Sequence, residues 1–158
     1  MLLLLSVPLV AQFKNIRVDA ATTTDAEEVT IAINTKNPAQ VAAGANITYN
    51  FFSSDSALNW TQGTLTSQLG VWGDPCVIYD GLGNLYFAHL SNPGNDFQNW
   101  IDRIVVQKST DNGKTWNDGT GIFYNPPKQQ DKEWLAVDLH SRYKNNLYAS
   151  WTEFDKYG

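Results

Sequence analysis

Apolar and polar residues alternate along this chain in short runs bounded by turn residues, and one pairing of runs occurs three times. Val29-Thr30-Ile31-Ala32-Ile33-Asn34 is followed by Gln40-Val41-Ala42-Ala43-Gly44. Pro75-Cys76-Val77-Ile78-Tyr79-Asp80 is followed by Asn84-Leu85-Tyr86-Phe87-Ala88, and Trp134-Leu135-Ala136-Val137-Asp138 by Asn146-Leu147-Tyr148-Ala149-Ser150-Trp151. Runs of this length, rich in β-branched and aromatic residues and joined by Asn, Gly, Pro or Asp, predict β-hairpins. The first two hairpins each lead into a third β-prone run, 47–52 and 104–108, and then a Gly/Thr-rich fourth, 61–65 and 117–123. No long stretch keeps the 3.6-residue period of a helix. The pattern predicts an all-β chain built from four-stranded antiparallel units.

Between the third and fourth runs of the second unit lies Ser109-Thr110-Asp111-Asn112-Gly113-Lys114-Thr115-Trp116. Ser109 and Asp111 can accept hydrogen bonds from nearby backbone N–H groups and so hold a tight turn. Gly113 can take the positive φ that such a turn demands. Trp116 is expected to start the next strand as a large apolar anchor. The first unit carries a degraded copy, Ser53-Ser54-Asp55-Ser56-Ala57-Leu58-Asn59-Trp60, with alanine at the glycine position. Asp55 to Asp111 and Trp60 to Trp116 are both 56 residues apart, so a whole structural unit is repeated.

Four antiparallel strands per unit at this period is the pattern of a β-propeller blade. One blade is expected over 28–69, a second over 73–125 and half of a third over 131–158. Pro126-Pro127 links the second to the third. Two and a half blades cannot close a ring, which reads as the N-terminal piece of a longer chain whose missing C-terminal blades complete it.

The octapeptide is an Asp-box, or BNR repeat, and the arrangement over residues 28–158 resembles the sialidase-like propeller superfamily. Ser109, Asp111, Gly113 and Trp116 match the box fully, and Ser53, Asp55 and Trp60 match it with Ala57 departing. The resemblance implies a six-bladed ring with the boxes as structural turns on the rim, away from any active site. It also implies an activity, that of an exo-α-sialidase-type glycoside hydrolase acting on glycan ends. The same box occurs in non-catalytic adhesins and sorting receptors, so a glycan- or protein-binding propeller, or a scaffold domain of a larger exported protein, stands beside the enzyme.

Composition narrows the partners. The net charge of −5 opposes nucleic acid and anionic membrane surfaces, while the resemblance implies a glycan or glycoprotein ligand. Aromatic residues make up 13%, with six tryptophans, which suits a sheet protein with sugar-stacking potential. The single cysteine, Cys76, reads as a small core residue. His89, placed after the second strand of its unit, and His140 lack ligand spacing; no metal or cofactor is expected. Residues 1–11, Met-Leu-Leu-Leu-Leu-Ser-Val-Pro-Leu-Val-Ala, are too short for a transmembrane helix and suit the apolar core of a signal peptide cleaved after Ala11. No Lys or Arg precedes them, as if the true start lay upstream. Residues 12–27 read as an N-terminal segment ahead of the first blade. The expectation is a secreted, periplasmic or cell-surface protein of a bacterium.

Candidate chemistry gathers at the entrances of the first strands. Gly73-Asp74-Pro75 precedes one and Asp131-Lys132-Glu133-Trp134 another, with Asp74 and Asp131 57 residues apart. Carboxylates repeated at one end of successive inner strands would ring a channel mouth, where crowding raises the pKa of one of them, as glycoside hydrolysis requires. Asp74, Asp131 and Glu133 are therefore the candidate catalytic residues. The plainer reading is that Asp74 and Asp131 fix turns and that Asp131 pairs with Lys132 in solvent. Trp72 and Trp100 are candidates to stack on sugar rings, against the plainer reading of packing. A sialidase also needs arginines on its substrate carboxylate. The three here, Arg17, Arg103 and Arg142, lie outside the expected strand entrances, so no catalytic role is carried onto them.

Overall fold

The computed structural model describes residues 14–24, 26–94 and 100–155. Among them there is no helix. Ten strands form three antiparallel sheets of four, four and two. The signal-peptide segment 1–11 lies outside the described residues.

The first sheet runs β1 (Thr30–Ile33), β2 (Val41–Ala45), β3 (Tyr49–Ser53) and β4 (Thr61–Thr64) in chain order. The second repeats it with β5 (Cys76–Tyr79), β6 (Leu85–Leu90), β7 (Ile104–Ser109) and β8 (Thr120–Ile122). The third pairs β9 (Gln129–Val137) with β10 (Leu147–Phe154). β1 lies beside β5 and β5 beside β9, so the first strands of the sheets are neighbours. The third sheet begins at Gln129, two residues before the expected boundary at Asp131.

Apolar faces hold the sheets together. Ala42 of the first sheet and Leu65, just past the end of β4, pack with Val77, Tyr79, Leu85 and Phe87 of the second. Phe87 is 1% exposed; burial of one such ring contributes about 1.5–3 kcal/mol. Trp116 meets it edge-on with ring centroids 5.7 Å apart. On the other face of the second sheet, Cys76, Ala88, Leu90 and Ile104 pack with Leu135 of β9. Period-two alternation then fixes β9: Glu133 and Leu135 are buried, whereas Trp134 and Ala136 face out. His89 lies inside β6, not after it, fully buried between Leu90 O (2.8 Å) and the Gln107 carboxamide (3.2 Å).

Two kinds of turn recur. Each first hairpin closes on an Asx residue: Asn34 Oδ1 accepts from Lys36 N, Asp80 Oδ1 from Leu82 N, and Asp138 Oδ1 from His140 N, at 2.9, 2.9 and 3.0 Å. The turns between third and fourth strands are the two boxes, and they superpose bond for bond. Asp55 Oδ1 and Asp111 Oδ1 each accept from a serine hydroxyl at 2.8 Å and a backbone N–H at 2.9 Å. Ser53 Oγ and Ser109 Oγ accept from Ala57 N and Gly113 N at 3.1 and 2.8 Å. Both indoles fold back, Trp60 Nε1 onto Ala57 O and Trp116 Nε1 onto Gly113 O, each at 3.1 Å. The expectation for Trp116 is corrected: β8 begins only at Thr120, whereas β4 begins at Thr61, directly after Trp60. Asn112 joins the sheets, donating to Ser53 O at 2.8 Å and accepting from the Tyr79 hydroxyl.

Because neighbouring strands are antiparallel, both kinds of turn lie at one end of the sheets. The starts of β1, β5 and β9 lie at the other. No helix among the described residues is long and apolar enough to cross a membrane.

Candidate functional site

The ladders set the register of the three strand entrances. Thr30 pairs with Gly44, Cys76 with Ala88 and Trp134 with Ser150, each the first residue of its unit's regular hairpin pairing on that side of any bulge. Two residues upstream of these stand Glu28, Asp74 and Lys132. All three carry positive φ, 49°, 50° and 54°, a conformation rare outside glycine. The equivalence of Asp74 and Asp131 expected from their spacing is thus off by one: Asp74 corresponds to Lys132. The discrepancy has a cause, since β9 starts early and β10 carries a register shift between Ser150 and Thr152.

These side chains converge. Lys132 Nζ lies 3.1 Å from Asp74 Oδ2 and 4.0 Å from Glu28 Oε1. Asn46, at the end of β2, accepts from Asp74 N at 2.8 Å and donates to Glu28 Oε2 at 2.7 Å. Gly73 makes that approach possible: a Cβ there would come within 2.3 Å of Asn46 Oδ1, and its φ is +89°. Asp131 Oδ1 accepts from the backbone N–H of Lys132 at 2.7 Å, while the Lys132 ammonium reaches Asp74; Asp74, and more weakly the charge of Asp131, raise the Lys132 pKa.

The charges divide unequally. Burial, and then the hydrogen bond shared with Glu28, raise the pKa of Asp74. The same bond from Asp74, with that from Asn46, lowers Glu28, so Asp74 is the harder of the two to ionise. Asp74 in turn raises Lys132. Glu133 is the extreme case. It is 5% exposed, neither carboxyl oxygen has a hydrogen-bond partner among the described residues, and burial pushes its pKa up to about 8. Asp74 and Asp131 push it the same way.

Two adjoining hollows open here. One, of about 320 Å³, is walled by Trp72, Trp100 and Asp131 and by the Glu28–Asp74–Lys132 group. The other, of about 280 Å³, shares that group and adds Glu133, Pro75 and Trp134. The two indoles Trp72 and Trp100 meet edge to face, centroids 6.2 Å apart. The structure therefore brings all five sequence candidates, Asp74, Asp131, Glu133, Trp72 and Trp100, to one end of the sheets. The box residues Ser53, Asp55, Trp60, Ser109, Asp111, Gly113 and Trp116 lie at the opposite end. A third, apolar hollow of about 360 Å³ on the outer face of the first sheet, lined by Val29, Ile31 and Phe51, holds no candidate.

Sequence reasoning missed Glu28 and Asn46 and did not foresee the contact of Lys132 with Asp74. Glu28 was readable, standing two residues before a first strand as Asp74 does. Asn46 had no signal, because its role depends on the end of β2 lying beside Gly73.

Fold and site together define an all-β protein of successive antiparallel sheets with a carboxyl-rich cluster at the entrances of their first strands. No family model, curated protein or solved structure matches the chain.

Proposed function

We propose that this chain forms successive blades of a sialidase-like β-propeller and acts as an exported glycoside hydrolase on glycan ends. The fold part rests on the repeated four-stranded meanders, their adjacent first strands and the two superposable boxes. The activity rests on one observation: Glu133, buried and unpartnered, keeps its proton at neutral pH beside other carboxyl groups. A carboxylic acid in that state can protonate a leaving glycosidic oxygen. Asp74 or Asp131, in the shared cluster, is the second carboxyl, which attacks the anomeric carbon or activates a water. Trp72 and Trp100 supply an apolar wall for the sugar ring.

The test is turnover of a panel of aryl glycosides, sialosides included. Glu133→Gln should lower kcat by about 100-fold or more while KM changes little, and should remove a limb of the pH profile near 8. Wild-type turnover in that variant would refute the assignment. Export predicts a mature N-terminus at Gln12, read by sequencing the secreted protein.

A second reading, a non-catalytic propeller that binds glycans or proteins, is favoured by the engagement of the cations. Lys132 occupies Asp74 and Glu28, and each arginine is held elsewhere. Arg17 pairs with Asp19 at 2.8 Å, Arg103 with Asp102 at 2.7 Å, and Arg142 stacks over Tyr143 at 4.6 Å. Glycan binding without turnover across the panel selects this reading.

A further inference from the structure

We infer that the paired hollows take an uncharged sugar and reject one bearing a carboxylate. The inference deepens the proposed function and rests on it for the word sugar, though its discrimination is a property of binding alone. Glu28, Asp74 and Asp131, with the neutral Glu133 behind them, face this space against one ammonium, Lys132. That ammonium is already committed to Asp74 and Glu28. The guanidinium forks that would receive an anionic sugar are paired with Asp19 and Asp102 or stacked on Tyr143.

Glu133 is the second, independent indication of a ligand. It is a polar side chain, 5% exposed, that lines the smaller hollow with no hydrogen-bond partner among the described residues. A buried carboxyl left without a partner is costly, and a ligand hydroxyl or ether oxygen meeting it removes that cost. A neutral hydroxyl-bearing ring supplies both donor and acceptor, and its apolar face suits the Trp72–Trp100 wall. A ligand carboxylate supplies no donor and meets Glu28 and Asp131 across the hollow. Cys76, the other titratable group near Glu133, has its thiol pKa raised by burial and so adds no charge.

The experiment is calorimetric binding of two matched series, hexosides and the corresponding hexuronides, with N-acetylneuraminic acid as a third probe. The hexoside should bind at least tenfold more tightly than its hexuronide, with the gap narrowing as salt is raised. Lys132→Gln should widen the gap and Glu28→Gln should narrow it, because each changes the charge facing the ligand by one. Equal or tighter binding of the hexuronide or of N-acetylneuraminic acid overturns the inference, as does a gap insensitive to both charge variants. Binding with this preference but no hydrolysis upholds the inference and defeats the hydrolase reading. Hydrolysis with a preference for carboxylated substrates does the reverse.

Discussion

Replacing Glu133 by glutamine should stabilise the protein at alkaline pH, and the size of the effect follows from the burial of one carboxyl. A glutamate in the unfolded chain titrates near 4.5, whereas here burial pushes the value up to about 8. The folded state therefore holds a proton that the unfolded state gives up. By linkage, the stability associated with this group is fully present below pH 4.5 and is lost as pH rises towards 8. At about 1.4 kcal/mol per pH unit across that window, the loss reaches about 4–5 kcal/mol as a ceiling. Entry of water beside an ionised Glu133 would reduce it, but it stands against only the ~5–15 kcal/mol that holds a domain together. Other groups act in the same window. Burial holds the His89 pKa below its ordinary value, which lowers stability as pH falls below 6.5, the opposite trend. Urea unfolding of wild type and Glu133→Gln at a series of pH values from 5 to 9 separates them, since only the difference curve reports Glu133. The difference should grow steadily with pH and level off above 8. Parallel curves would refute both the raised pKa and the acid role built on it.

The box turns give two further predictions. Asp111→Ala removes the acceptor of Ser109 Oγ, Thr115 N and Thr115 Oγ1 and should cost about 1 kcal/mol in chemical denaturation, with ligand affinity unchanged because the box lies at the far end of the sheets. A loss of affinity at unchanged stability would contradict its structural role. The glycine position of the two boxes should respond in opposite directions to reciprocal exchange. A Cβ at Gly113 meets only ordinary contacts, Leu85 at 3.4 Å and Phe52 at 3.5 Å, so Gly113→Ala should cost about 1–2 kcal/mol through its φ of +85° alone. Ala57, at φ 65°, already carries that strain, and Ala57→Gly should raise the melting temperature by about 2 °C.

Much of this architecture could be read from the sequence because it is written locally. The hairpins follow from alternation within six residues, and the boxes from an octapeptide whose hydrogen bonds close within itself, Ser53 to Asp55 and Ser109 to Asp111. The position of Trp116 was misread because β8 starts to pair only at Thr120, whereas β4 starts directly after Trp60 although both indoles fold back alike, a difference in pairing that strand propensity does not encode. At the entrances, residue type misled. Asp74 and Asp131 look alike, but register depends on where β9 starts to pair, and that is set by β10 across the hairpin. The Asn46 bridge is harder still, requiring two sheets to meet at a glycine whose conformation admits a carboxamide.

The two ends of the sheets obey different physical rules, and the difference is what supports the proposed site. At the box end, the strained asparagine is compensated where it stands, although Ala57 is not. Asn112, at φ 64°, is buried, and its amide and carbonyl are both satisfied across the first and second sheets. Asp55 has its pKa lowered to about 2 by Asn59 and neighbouring donors, so its charge is fully used within the turn. At the entrance end, three residues at positive φ project charged side chains towards one another, and the compensation is incomplete. Glu28, Asp74 and Lys132 satisfy each other, but Glu133 behind them is left buried with neither oxygen bonded. A sequence selected only for stability would place a leucine or glutamine at that position, flush with Leu135 on the same face of β9. Retaining an ionisable group there sacrifices stability above pH 4.5, and a site that needs a protonated carboxyl at neutral pH is the physical use that such a loss would serve.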